Sequence, residues 1–116
     1  MFMMSEPRLK TDIWIRAQIR LCDINFIPAV VTRRGDSDAG QVLINLNRLN
    51  GTFELFARTS TLDGTPAWRS VTGGNPMDEK AALTFIEREA NVDPDIWVLE
   101  IEDRDRKYQL DGPVIV

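Results

Sequence analysis

Glu100, Glu102 and Asp103 are the side chains whose types and spacing come closest to a reactive set. Two residues apart on a strand, Glu100 and Glu102 would share one face with Cα atoms about 6.6 Å apart. With Asp103 beside them they could hold a magnesium, manganese or calcium ion, or supply paired carboxylates for acid and base work. The competing reading is a solvated strand end facing Arg104, Arg106 or Lys107.

A second constellation is cationic. Arginine outnumbers lysine 11 to 3, and a guanidinium makes bidentate contacts to carboxylate or phosphate. If the first and third strands of an antiparallel meander end at one edge, Arg33, Arg34 and Arg58 gather near the Gly35–Gly40 loop as an anion or protein docking site. Pairing of these arginines with Asp36, Asp38 or Asp63 is the plainer alternative.

What is missing narrows the chemistry further. The chain has no histidine, which excludes Ser-His-Asp and Cys-His arrangements, histidine zinc sites and imidazole proton transfer. Cys22 is the only cysteine, so neither an intramolecular disulfide nor a thiolate cluster can form, and its thiol reads as a small apolar core group. Asp36-Ser37-Asp38-Ala39-Gly40 opens like a calcium loop but has Gly40 fifth, Gln41 sixth and Asn47 twelfth, where the bidentate glutamate belongs. Neither a phosphate loop nor a dinucleotide fingerprint occurs, and no cofactor is expected.

The net charge of −4 disfavours nucleic acid as a partner. Residues 1–58 carry eight basic and six acidic side chains, residues 59–116 six and twelve. This polarity suits self-association as a homodimer or a basic protein partner; a solvated surface is the plainer reading. The longest apolar run, Phe26–Val31, is too short to cross a bilayer. The start lacks a secretory pattern, which with the lone cysteine points to the cytoplasm.

The elements that must position these groups fit one α+β domain at residues 9–113, with a disordered segment at 1–8 and a short tail at 114–116. Thr11 can cap a helix running to Asn25. The same stretch alternates as a strand with Ile13, Ile15, Ala17, Ile19 and Leu21 on one face, but its length without Gly or Pro favours the helix. Short strands follow at Ala29–Arg34 and Val42–Leu49. Asn50-Gly51 is a strong two-residue hairpin signal, pairing Arg48 with Phe53, Leu46 with Leu55, Ile44 with Ala57 and Val42 with Thr59.

A tight turn at Asp63-Gly64 would oppose Arg58 and Arg69, so a wider loop over Thr61–Pro66 with a shifted register is expected. Asn75 and Pro76 signal a second helix with Ala82, Phe85, Ile86 and Ala90 on its apolar side. Ile96–Ile101 reads as a buried strand, Lys107–Leu110 as an optional return beside it, and Asp111-Gly112-Pro113 as the release of a short tail. The fold expected is therefore an N-terminal helix, a four-stranded antiparallel meander, a second helix and one or two closing strands.

Four phrases taken together are distinctive: Arg8-Leu9-Lys10-Thr11-Asp12-Ile13-Trp14, Pro28-Ala29-Val30-Val31-Thr32-Arg33-Arg34-Gly35-Asp36, Asn47-Arg48-Leu49-Asn50-Gly51 and Asp95-Ile96-Trp97-Val98-Leu99-Glu100-Ile101-Glu102-Asp103-Arg104. They resemble an uncharacterised family of small bacterial proteins (domain of unknown function, family 1491), over about Leu9 to Pro113. The resemblance implies a free-standing cytoplasmic bacterial protein and carries no catalytic residue or cofactor. The residues favour a small binding or accessory protein acting through protein contacts. The Arg33–Gly40 tip and the acidic strand end at Glu100–Asp105, with Arg104, are its expected contact regions. A carboxylate-dependent or hard-metal enzyme using Glu100, Glu102 and Asp103 is the alternative, and polyanion binding through Arg33, Arg34 and Arg58 the third.

Overall fold

The computed structural model describes residues 10–115, so the segment expected to be disordered at 1–8 lies outside the described residues. The chain forms α1 (Thr11–Ile24), β1 (Ala29–Arg33), β2 (Val42–Asn47), β3 (Thr52–Ser60), β4 (Pro66–Ser70), β5 (Met77–Asp78), α2 (Glu79–Val92), β6 (Trp97–Glu102) and β7 (Val114–Ile115). All seven strands join one mixed sheet in the order β1-β6-β2-β3-β4-β7, with β5 paired to β3. No helix among the described residues is long and apolar enough to cross a membrane.

The stretch at 11–24 is a helix whose buried residues, Thr11, Trp14, Ile15, Gln18 and Cys22, lie along one side at helical spacing. Trp14, Ile15 and Cys22 turn into a core shared with Val42, Ile44, Leu46, Trp97, Leu99 and Ile101, a helical spacing that strand alternation cannot produce. On the opposite face of the sheet, α2 covers Leu43, Ile96, Val98, Phe53 and Leu55. Because both faces are covered, strands here alternate between two apolar layers rather than between core and water.

That second layer overturns the expected meander. β1 does not lie beside β2: β6 inserts between them, antiparallel to β1 and parallel to β2. Trp97, Val98, Leu99 and Ile101 are all buried, so burial on both faces favours a central place for β6. β1, with every second residue exposed, tolerates the edge. The sheet is mixed and the wholly antiparallel expectation is wrong; only β2-β3-β4 forms a meander.

The Asn50-Gly51 register is also displaced by one residue. Asn47 pairs with Phe53, Asn45 with Leu55 and Ile44 with Phe56, which puts Leu46 in the α1 layer and Leu55 in the α2 layer. The loop is longer than a two-residue turn, closed by Arg48 N–H to Thr52 O at 3.0 Å. Leu49 takes φ 59° and Gly51 φ 86° within it. Asn50 Oδ1 accepts from Thr52 N at 3.0 Å, bracing the loop from a side chain. A one-residue slip exchanges every side chain between faces.

The wider turn after β3 is as expected: Arg58 pairs with Trp68 and Ala57 with Arg69, so the two arginines are not opposed. Asp78, not Asn75, caps α2, accepting from Ala81 N at 2.8 Å. Residues 77–78 first pair with Thr52 and Phe53, which delays the helix by three residues. Lys107–Leu110 does not return as a strand beside β6. The chain instead crosses the α1 layer, with Tyr108 and Leu110 packed on it, and Val114–Ile115 pairs in parallel with β4.

Candidate protein-docking surface

The three candidate carboxylates do not converge. Alternation along β6 puts Glu100 and Glu102 on the α2 face, with Glu100 opposite Asn45 and Glu102 opposite Asn47. Asp103 leaves the strand and is 3% exposed. Its Oδ2 accepts from Arg48 Nη1 at 3.2 Å and from Tyr108 N at 3.0 Å, and its Oδ1 from Lys107 N at 2.8 Å. Arg48 also donates through Nε to Glu54 Oε2 at 2.7 Å. Asp103 is thereby committed to holding the 103–108 turn on the β2–β3 loop. Sequence reasoning missed Arg48 and Glu54 because they are six residues apart on a hairpin whose register it misplaced.

The arginines are likewise dispersed. Arg33 sends Nη2 to Pro94 O at 2.9 Å, placing a cation beyond the C-terminus of α2, whose last turn has no basic residue. Arg34 stacks on Trp97 at 5.1 Å and Arg58 on Trp14 at 4.9 Å, so each has a different aromatic platform. The 35–40 segment is not a free hairpin tip, since it must cross the start of β6 on its way from β1 to β2. Asp36 N donates to Asp95 O at 2.9 Å, and Trp97 Nε1 to Asp36 O at 2.7 Å. A Cβ on Gly35 would lie 2.0 Å from Asp95 O, so the closeness of the crossing explains the glycine. Asp36 Oδ2 accepts from Asp38 N and Ala39 N inside the loop, and exposed Asp38 lies 3.8 Å from Lys10.

The opposite end of the sheet is built differently. There the α1–β1 connection, the β2–β3 loop and the end of β6 meet around a cleft of about 220 Å³ lined by Phe26, Pro28, Leu49, Glu102, Arg104 and Asp105, among others. α1 ends in a left-handed cap: Ile27 N donates to Cys22 O at 2.8 Å and Phe26 N to Asp23 O at 3.1 Å. The residue in the left-handed position is Phe26, with φ 58° and 93% of its surface exposed. Among the described residues only Phe26, Leu49 and Arg106 are non-glycine residues with positive φ. All three occur on the connections at this end. The sequence signal that could have found it is a phenylalanine where a helix cap favours glycine.

Cys22 sits beneath this end, 1% exposed. Burial, with a smaller contribution from the Asp103 charge, pushes its thiol pKa up. A buried, protonated thiol is a poor nucleophile. Native protein should therefore react with a disulfide reagent such as DTNB at pH 8 at least about 100-fold more slowly than urea-unfolded protein; equal rates would contradict this burial.

Comparison with known proteins places the fold. A crystal structure of a DUF1491 family protein from Caulobacter crescentus CB15 is 40% identical, covers 93% of this chain and 100% of its own, and superposes with a TM-score of 0.83. An NMR structure of a DUF1491 family protein from the same organism gives 39% identity, a TM-score of 0.80, and coverage of 96% and 100%. Protein Atu0922 from A. tumefaciens, 22% identical with a TM-score of 0.70 over 83% of this chain and 86% of its own, shares the fold. No curated protein matches. The family profile for DUF1491, protein of unknown function, matches residues 9–111, and the chain belongs to that family.

Proposed function

We propose that this chain is a non-catalytic binding protein of the bacterial cytoplasm that works by presenting the Phe26–Leu49 end of its sheet to another protein. The single observation that supports this most is Phe26. A Cβ in the left-handed region costs roughly 1–2 kcal/mol, which glycine avoids. Phe26 recovers nothing by burial, being 93% exposed. A residue that opposes local stability and stays exposed among the described residues is accounted for by what it contacts outside the chain. Glu102, Arg104 and Asp105 frame the same cleft, so of the two expected contact regions the acidic strand end is the one retained. The lone cysteine supports a reducing compartment.

The test exploits opposite signs. Phe26→Gly should leave stability unchanged or raise it by up to about 1 kcal/mol, since relief of the left-handed Cβ outweighs or balances the added chain entropy. It should also abolish partner capture. A photo-cross-linking residue at position 49 in native cells should trap a protein, and the Phe26→Gly change should remove that product. The same probe at Leu62, an exposed residue on the β3–β4 loop, should not trap it. Identical products from both positions, or persistence of the product in folded Phe26→Gly protein, would refute the assignment.

A further inference from the structure

The side of α1 turned away from the core is itself apolar. Ile13, Leu21 and Ile24 are 46%, 52% and 59% exposed, and Ala17 between them is exposed as well. At 100° per residue these four fall within an arc of about 80°, roughly opposite the buried Ile15 and Cys22. The stripe is about 16 Å long and runs toward Phe26. Soluble monomers rarely leave contiguous apolar patches larger than a few hundred Å² without a use for them.

The charges bordering this stripe identify what it meets. Arg20 and then Arg16 flank it on one side. On the other, Leu21 opens into a groove of about 410 Å³ shared with Lys107 and Tyr108, and exposed Asp111 is held on the neighbouring Trp14. The helix's acids lie further round, beyond the arginines, and Asp12 is 3.9 Å from Arg16. An i, i+4 apolar ridge is what a second helix packs against, and the Arg16–Arg20 border, with Lys107 in the groove beside Leu21, selects carboxylates on the incoming helix. We infer that the outer face of α1 receives an amphipathic helix of a partner protein, its apolar residues bordered by Glu or Asp. This rests on the binding reading above and names the partner's chemistry. A second copy of the chain fits poorly, because an antiparallel twofold pairing of α1 sets the Arg16–Arg20 border against itself. Glu102 and Asp105 beside Phe26 oppose an anionic lipid surface.

Two fluorescently labelled 20-residue helical peptides with identical leucine stripes, one bordered by glutamate and one by lysine, provide the probe. By fluorescence anisotropy at about 50 mM salt, the glutamate peptide should bind at least about tenfold more tightly than the lysine peptide, the gap narrowing at high salt. Folded Ile24→Glu protein should lose at least about tenfold in affinity, and Arg16→Glu/Arg20→Glu should reverse the preference. If Ile24→Glu does not fold, Ala17→Glu serves the same purpose. Equal binding of both peptides, preference for lysine, binding of neither, dimerisation blocked by Ile24→Glu, or Leu21-dependent pelleting with phosphatidylserine vesicles would each overturn the inference. Were the peptides to fail while the probe at position 49 still captured a Phe26-dependent protein, this inference would fall and the binding reading would stand. Failure of both would remove both.

Discussion

Arg48→Met should lower the free energy of unfolding by about 3–5 kcal/mol, because it leaves the Asp103 carboxylate buried without its cation. In a domain of this size that corresponds to a fall of roughly 10–20 °C in the midpoint of thermal unfolding. Arg48 Nη1 bonds both the backbone oxygen of Asp103, at 3.0 Å, and its carboxylate, at 3.2 Å. Glu54, held through Nε at 2.7 Å, loses its partner too, but exposed Arg106 at 3.5 Å compensates in part. The diagnostic result is the double variant. Adding Asp103→Asn to Arg48→Met removes the stranded charge and keeps an amide oxygen for one of the Lys107 and Tyr108 backbone N–H groups, which bond different oxygens of Asp103, so it should recover about 1 kcal/mol. A double variant less stable than Arg48→Met alone would show that the carboxylate matters for something other than its pairing. Urea denaturation followed by tryptophan fluorescence measures all three proteins.

The same pair explains why the candidate catalytic site failed while most of the element types were correctly read. Helices announce themselves locally: Asp78 at the start of α2 and the uninterrupted run from Thr11 are properties of a few neighbouring residues. Strand order is a property of distant ones. Nothing near Gly35 states that β6, some sixty residues later, will lie between β1 and β2; that follows only once the burial of Trp97–Ile101 on both faces is set against the half-exposed β1. The hairpin register failed for a related reason. Pairing Leu46 with Leu55 assumes one wet face, whereas α2 supplies a second apolar layer in which Leu55 belongs. With the register went the location of Arg48, and with Arg48 went the meaning of Asp103. Phe26 was legible in principle, but only to a reader who had already fixed where α1 ends and noticed which residue occupies the left-handed position of its cap.

Asp111→Ala should cost about 2–4 kcal/mol, a loss no feature of the sequence announces. Its two carboxylate oxygens accept the indole N–H groups of Trp14 and Trp68, each at 2.8 Å. The two rings are 5.6 Å apart and tilted by 38°, and both tryptophans are buried. A hydrogen bond to a charged acceptor contributes about 1.5–3 kcal/mol, but Asp111 is itself exposed, so water can enter and replace part of each bond. Asp111→Asn should fall between, since a single amide oxygen can satisfy one indole well and presents N–H to the other. The loss extends past the two bonds. Trp68 N also donates to Pro113 O at 2.9 Å, so Asp111 fixes the crossing that delivers β7 to β4. Through Trp14 it also fixes the orientation of α1. Trp14→Phe should therefore cost less in the Asp111→Ala background than in the wild type, by about 1 kcal/mol or more in a double-mutant cycle, with a loss of near-ultraviolet circular dichroism in Asp111→Ala alone. Additive effects of the two substitutions would mean that the Asp111–indole geometry contributes nothing.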